Sequence, residues 1–284
     1  MSVFKKLKSS FQPPTLSESI KDIAAYYETA IGRALYSAQK RLLTDALSNL
    51  FGYHLMEISA LPKANLSKRS RVNHCFRITP NHSHIDTGSD QSMMASDVSM
   101  LPLPDESIDV CILHHVLEFS ENPHQVLKEA SRVTIARGHI IIVGFNPKSL
   151  MGLGRVLCRP FKRNTMSRRR ALHVHRLQDW LEFLDFSCSG VSYAGHNLPI
   201  NNRKYLRSTR GFDKFCRKRQ WPLGSIYCIV ARKDKLSMTP LKPEWNTPTL
   251  SGLAKKSAYR SGSQARLRRD SVILPFRKNV NKSR

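Results

Sequence analysis

The run IDVCILHHV, residues 108–116, closes a continuous apolar segment with two adjacent histidines, His114 and His115. An imidazole titrates near neutrality, so either residue is a candidate catalytic base or substrate ligand. Neighbouring residues on a strand point to opposite faces, so one of the two is expected to serve packing. The six cysteines show no CxxC pair and no histidine partner at finger spacing, which argues against a zinc site or a disulfide framework. Cys75, Cys111, Cys188 and Cys228 lie in apolar runs and are expected to act as small core hydrophobes. Gly152 and Gly154 form a GxG pair displaced from the preceding strand, and no acid follows until Asp179, so the dinucleotide fingerprint fails.

These residues sit in a chain that alternates strands and helices. After a basic arm ending in Pro13 and Pro14, TLSE offers a capping box, Thr15 to Glu18, for a helical stretch that stops near Gly52. Ile31, Leu35, Leu42, Leu43, Leu47 and Leu50 form its apolar stripe, and Gly32 leaves open whether it is one helix or two. YHLMEISAL and VNHCFRI read as strands, and residues 81–97 carry little periodicity. Asn122 and Pro123 open a helix that Gly138 is expected to end, and HIIIVGF is a further buried strand. FSCSGVSYAG and SIYCIVARK supply two late strands. Strands that are apolar throughout and joined by helices predict a mostly parallel sheet covered on both faces, a Rossmann-like three-layer α/β sandwich. The expected organisation is an arm and N-terminal helical extension over 1–52, the α/β domain over 53–233 and a disordered basic tail over 234–284.

The block MASDVSMLPLPDESIDVCILHHVLEFSENPHQVLKEASRVTIARGHIIIVGFNP resembles the central part of class I S-adenosyl-L-methionine-dependent methyltransferases of the type 11 group. The residues that carry the resemblance are Asp97, Val98, Leu101 to Asp105, Ser107 to Asp109, His115 to Glu118, Arg132, Val133 and Gly138. GFNPKSLMGLGRVL together with FGYHLMEISAL further resembles a gammaproteobacterial branch of these enzymes, the YafS type. The resemblance implies that S-adenosylmethionine is the cofactor and that a methyl group passes to an unknown acceptor. Its sulfonium is already activated, so the protein mainly has to hold the methyl in line and exclude water, and a dedicated base is optional. By resemblance, Asp97 accepts from the adenine amino group, the Val98 backbone donates to the ring, and the backbone around Leu113 and His114 lines the methionine end. Glu57 and Ser59 complete the expected cofactor-binding set.

The first loop departs from the family pattern E-x-G-x-G-x-G. Glu57 keeps the acid, but Ser59, Leu61 and Lys63 occupy the glycine places, where a missing Cβ normally lets backbone approach a ligand. Ser59 leaves some room, Leu61 is expected to crowd the sulfonium, and Lys63 to repel it unless turned to solvent. The ribose-binding acid expected after the second strand is missing, with Asp86 or Asp90 as substitutes from the loop.

With 46 Lys and Arg against 21 Asp and Glu, the formal charge is +25. Such a surface attracts polyanions. Arg168, Arg169, Arg170, Arg203, Lys204, Arg217, Lys218 and Arg219, interleaved with Tyr205, Phe212, Phe215 and Trp221, suit phosphate contact and base stacking, as in RNA binding. A catalytically inactive methyltransferase-fold module that binds nucleic acid is therefore the alternative function. Attachment of the basic arms to a membrane surface is a third. No apolar run reaches bilayer length and the N-terminus lacks the apolar segment of a secretory signal, so a cytoplasmic protein is expected.

Overall fold

The computed structural model describes residues 16–61, 64–79, 92–158, 169–196 and 200–234. Contacts group the chain into two units, Met1–Met238 and Thr239–Arg284, and every described residue belongs to the first. The expected Thr15 cap, Lys63, Asp86, Asp90 and the tail beyond Asp234 lie outside the described residues.

The N-terminal extension is a helical pair, α1 (Leu16–Glu28) and α2 (Ala30–Leu47). The chain breaks at Thr29, whose hydroxyl accepts from the Gly32 N–H at 3.0 Å and so caps α2. Gly32 is needed just inside that break, because a Cβ there would lie 2.1 Å from the Tyr26 carbonyl oxygen. Leu35, Ala38, Leu42, Leu43 and Leu47 form the buried stripe of α2, which packs against the last two strands of the sheet. One polar residue, Gln39, stands on the same buried face.

Seven strands form one sheet: β1 (His54–Ser59), β2 (His74–Thr79), β3 (Ser92–Ala95), β4 (Ile108–His114), β5 (Thr134–Phe145), β6 (Phe186–Ala194) and β7 (Ile226–Lys233). Their order is β3-β2-β1-β4-β5-β7-β6, with β7 antiparallel to both neighbours and the other pairings parallel. The continuous apolar runs are explained by this placement: β1, β4 and the end of β5 lie at the centre and are buried along nearly their whole length. Helices α3 (Val116–Phe119), α4 (Pro123–Val133), α5 (Leu150–Cys158), α6 (Val174–Phe183), α7 (Arg203–Ser208) and α8 (Arg210–Lys218) complete the fold. Between β1 and β2 the described chain holds only a 3-10 turn, Ser67–Arg69. The architecture is Rossmann-like, a mostly parallel sheet flanked by helices.

Three readings of the sequence are corrected. β3 was invisible because a four-residue edge strand carries too little alternation to register. Helix α4 ends at Val133 rather than Gly138, and β5 starts at Thr134. Gly138 instead marks a bulge, where the β4 pairing jumps from Ile108↔Thr134 to Val110↔His139 and a Cβ would lie 2.7 Å from the Thr134 methyl. Cys188 is exposed on the edge strand β6, unlike buried Cys111 and Cys228, because one face of an outer strand is open to solvent.

Arg132 is the main clamp on the proline-rich turn before β4, with Glu129 also accepting from the Leu101 N–H at 3.2 Å. Arg132, in the last turn of α4, donates to the carbonyls of Leu101 and Leu103, each at 2.9 Å, and pairs with Glu129 and Asp105. That clamp accounts for Asp105 and Arg132 as structural residues. It fixes the chain leaving β3, which carries Asp97 and Val98.

Candidate functional site at the strand ends

The parallel strands bring their C-terminal ends to one edge of the sheet. Ser59 pairs with His114, His114 with Val143, and Phe145 lies opposite Ile226 at the start of β7. In open α/β sheets, this edge is where ligands bind.

His115 leaves the strand in the left-handed conformation, φ 57° and ψ 14°. This costs a non-glycine residue roughly 1–2 kcal/mol, and the surroundings over-determine it. Its N–H donates to the Val143 carbonyl at 2.9 Å, its Nδ1 lies 2.9 Å from Glu118 Oε2, and its Nε2 lies 2.8 Å from the Tyr27 hydroxyl and 2.7 Å from Gln39 Nε2. The turn also corrects the expectation that the two histidines diverge. Strand alternation ends at His114, and the rings of His114 and His115 lie 4.5 Å apart in one cluster.

Partners fix the tautomers. Glu118 is an acceptor, so His115 carries its proton on Nδ1 and accepts at Nε2. Gln39 donates to His115 Nε2 and to the Tyr27 hydroxyl, at 2.7 Å each, while its Oε1 accepts from His114 Nε2 at 3.1 Å. His114 Nδ1 then accepts from the Ser59 hydroxyl at 2.8 Å. Glu118 Oε1 accepts from the Phe145 N–H at 2.7 Å, so the network ties the ends of β1, β4 and β5 to α2 and α3. Gln39, His114, His115 and Glu118 are all buried. Burial pushes both imidazoles well below their usual range, helped by the positive charge of Arg169 beside His115, and both are neutral near pH 7.

The loop after β1 manages without glycine. From Glu57 to Leu61 no residue takes a positive φ. The Ser59 hydroxyl accepts from the Leu61 N–H at 3.1 Å, and the Ala60 N–H donates to the His114 carbonyl at 3.0 Å. Leu61, 7% exposed, packs in the hydrophobic core. Glu57 is fully buried and faces the loop: its Oε2 accepts from the Leu66 and Ser67 N–H groups and the Ser67 hydroxyl, and its Oε1 lies 3.7 Å from Arg77 Nε. Burial raises its pKa against the lowering pull of Arg77. Glu57 thus organises the loop and sits apart from the histidine cluster.

Beyond β3, Asp97 is exposed and accepts from the Ser99 N–H through Oδ1 at 2.8 Å, while Val98 is buried. Leu113 is a wholly buried strand residue paired with Ile58 and Ile142. Of the residues expected from sequence, Ser59 and His114 bond directly, His115 joins them through Gln39, and Asp97 stands at the same strand-end edge beside β2.

A family model described as a methyltransferase domain matches residues 59–142. The Escherichia coli protein YafS is 30% identical over 221 residues, 77% of this chain and 85% of that one. The chain belongs to this methyltransferase family. A SAM-dependent methyltransferase from Thermotoga maritima shares the fold at a TM-score of 0.55 and 15% identity, over 74% of this chain and 93% of that one.

Within this chain, the basic residues divide. Arg170, Lys204, Lys218 and Arg219 are exposed and Arg217 is half-buried, 3.9 Å from Asp45. Arg168 and the side chain of Arg203 lie outside the described residues. Arg169, which the sequence groups with the surface cluster, is buried, its Cζ 3.8 Å from the centre of the Phe145 ring. A run of arginines in a loop gives no hint that one of them turns inward. Sequence reasoning also missed Gln39 and Tyr27. For Gln39 a signal existed, since a glutamine four residues after Leu35 and three before Leu42 sits on the apolar stripe and needs a buried partner.

Proposed function

We propose that this chain is an S-adenosylmethionine-dependent methyltransferase whose acceptor docks over the ends of β4 and β5. The observation that carries the reading is the placement of Asp97. An exposed carboxylate, with one oxygen engaged by Ser99, stands just beyond β3 on the sheet edge that also holds the histidine cluster. An acceptor-only group there fits the amino group of adenine, and the Val98 backbone fits the ring edge.

The cofactor supplies a methyl group activated by its sulfonium. The chain supplies position and a dry surround. Neutral His114 and His115 keep fixed positive charge from their own rings away from a cationic sulfur, and the Leu113–His114 backbone would border the methionine end. The network of Ser59, His114, Gln39, His115 and Glu118 holds the strand ends in one arrangement, and α1 and α2 contribute Tyr27 and Gln39 to it.

Isothermal titration with S-adenosylmethionine and S-adenosylhomocysteine tests the reading. Binding with a dissociation constant below about 1 mM is expected. If neither compound binds at that level, the enzyme reading is abandoned.

A further inference from the structure

Arg169 is 7% exposed, and its Nε is buried without a hydrogen-bond partner. No ion pair to it is seen among the described residues, and the nearby Glu118 carboxylate is felt electrostatically. Its guanidinium lies over Phe145, whose ring stacks on His115 with centroids 4.1 Å apart and meets Tyr26 and Tyr27 at 6.4 and 6.5 Å. A charged group with an unused buried donor is costly inside a protein unless something pairs with it. The aromatic frame provides attraction to the cation but no acceptor for its N–H groups.

We infer that Arg169 receives an oxyanion, a carboxylate or phosphate-type group carried by the methyl acceptor. The inference rests on the methyltransferase reading for the word acceptor, and on geometry for the rest. Phe145 ends β5 and His115 follows β4, whereas Asp97 follows β3 on the far side of β1 and β2. An anion on Arg169 is therefore held across β1 and β2 from the proposed adenine position along the strand-end edge. A guanidinium suits this task because its fork matches two oxygens of a carboxylate or phosphate at once. The acceptor so described is an anionic compound whose charged group lies near the methylated atom and against an aromatic wall of Phe145, Tyr26 and Tyr27.

The test uses the full chain, with inorganic phosphate and benzoate as probes at constant high ionic strength and thermal unfolding as the readout. The wild type is expected to show a saturable rise in melting temperature. Arg169→Met is expected to lose that rise, with anion binding weaker by at least about tenfold, while exposed Arg176→Gln, which removes the same charge, keeps it. Equal anion dependence in wild type and Arg169→Met overturns the assignment. Affinities for S-adenosylhomocysteine and 5′-methylthioadenosine, which lacks the amino-acid carboxylate, are measured in parallel. If Arg169→Met weakens only S-adenosylhomocysteine, the arginine holds the cofactor's carboxylate and the acceptor assignment fails. If Arg169→Met does not fold, Arg169→Lys is read on the same scale: weakened anion binding supports the assignment and unchanged binding overturns it. A wild type that binds the anions through Arg169 but not the nucleosides would sink the methyltransferase reading and leave an oxyanion site.

Discussion

Gln39 Nε2 lies 2.7 Å from His115 Nε2, a buried bond between the N-terminal helical pair and the end of the fourth strand. The extension is thereby part of the site. Gln39→Leu puts an apolar side chain of similar size in place of the amide, leaving His114 Nε2 without a partner and the His115 Nε2 and the Tyr27 hydroxyl with only each other. Each orphaned buried group costs about 1–3 kcal/mol. Urea unfolding is expected to show a loss of about 2–4 kcal/mol. A loss of less than about 1 kcal/mol would mean that water satisfies these atoms and that the bond does not hold the helices.

The buried histidines set a pH dependence. Unfolded, each titrates near ~6.5; folded, burial keeps His114 and His115 neutral to much lower pH. In that window the unfolded chain binds more protons, so acidification favours unfolding. His139, also lowered by burial, acts in the same direction. Two groups oppose it: His196, raised despite burial by its Asp213 and Trp221 hydrogen bonds, and Glu57, raised by burial. The histidines outweigh them above the carboxylate range, and stability is expected to fall by about 1–2 kcal/mol between about pH 7.5 and about pH 6. Chemical denaturation at the two values checks the sign, and a flat or rising stability would show protonated imidazoles in the fold.

Asp97→Ala separates ligand binding from folding. The carboxylate is exposed and its structural duty is one bond to the Ser99 N–H, so stability should change by less than about 1 kcal/mol. Affinity for S-adenosylhomocysteine should fall about tenfold. Titration of the purified variant, with circular dichroism to confirm the fold, decides it. Unchanged affinity would remove Asp97 from the adenine position.

The order of elements was legible because central strands must be apolar on both faces, and β1, β4 and β5 advertise that in their sequences. The motif block also located the strand-end edge. What stayed hidden depends on single backbone torsions and on distant pairings. Nothing in HHV tells that His115 turns to φ 57° and folds its ring back beside His114. Nothing in a run of three arginines tells that the middle one of Arg168 to Arg170 and the last differ, with Arg169 buried and Arg170 bonding through Nη2 to the Glu121 carbonyl. Gln39 and His114 are 75 residues apart, and only the packing of α2 on the sheet brings them together.

Leu61 provides the sharpest contrast between pattern and structure. It occupies a place where the family pattern has glycine, which suggests a side chain standing in cofactor space. In the structure that side chain belongs to the hydrophobic core, while its N–H is held by the Ser59 hydroxyl and its carbonyl accepts from the Ala64 N–H at 3.1 Å. The backbone there runs without positive φ, so glycine has no conformational role to fill. Leu61→Ala is therefore expected to cost about 2–4 kcal/mol of stability, as for other buried leucines. Because the lost methyls come from the core, affinity for S-adenosylhomocysteine should stay within about twofold of wild type. A gain of about tenfold in affinity would place the leucine against the sulfur after all, and the substituted loop would then be a brake on cofactor binding rather than a different way of building the same turn.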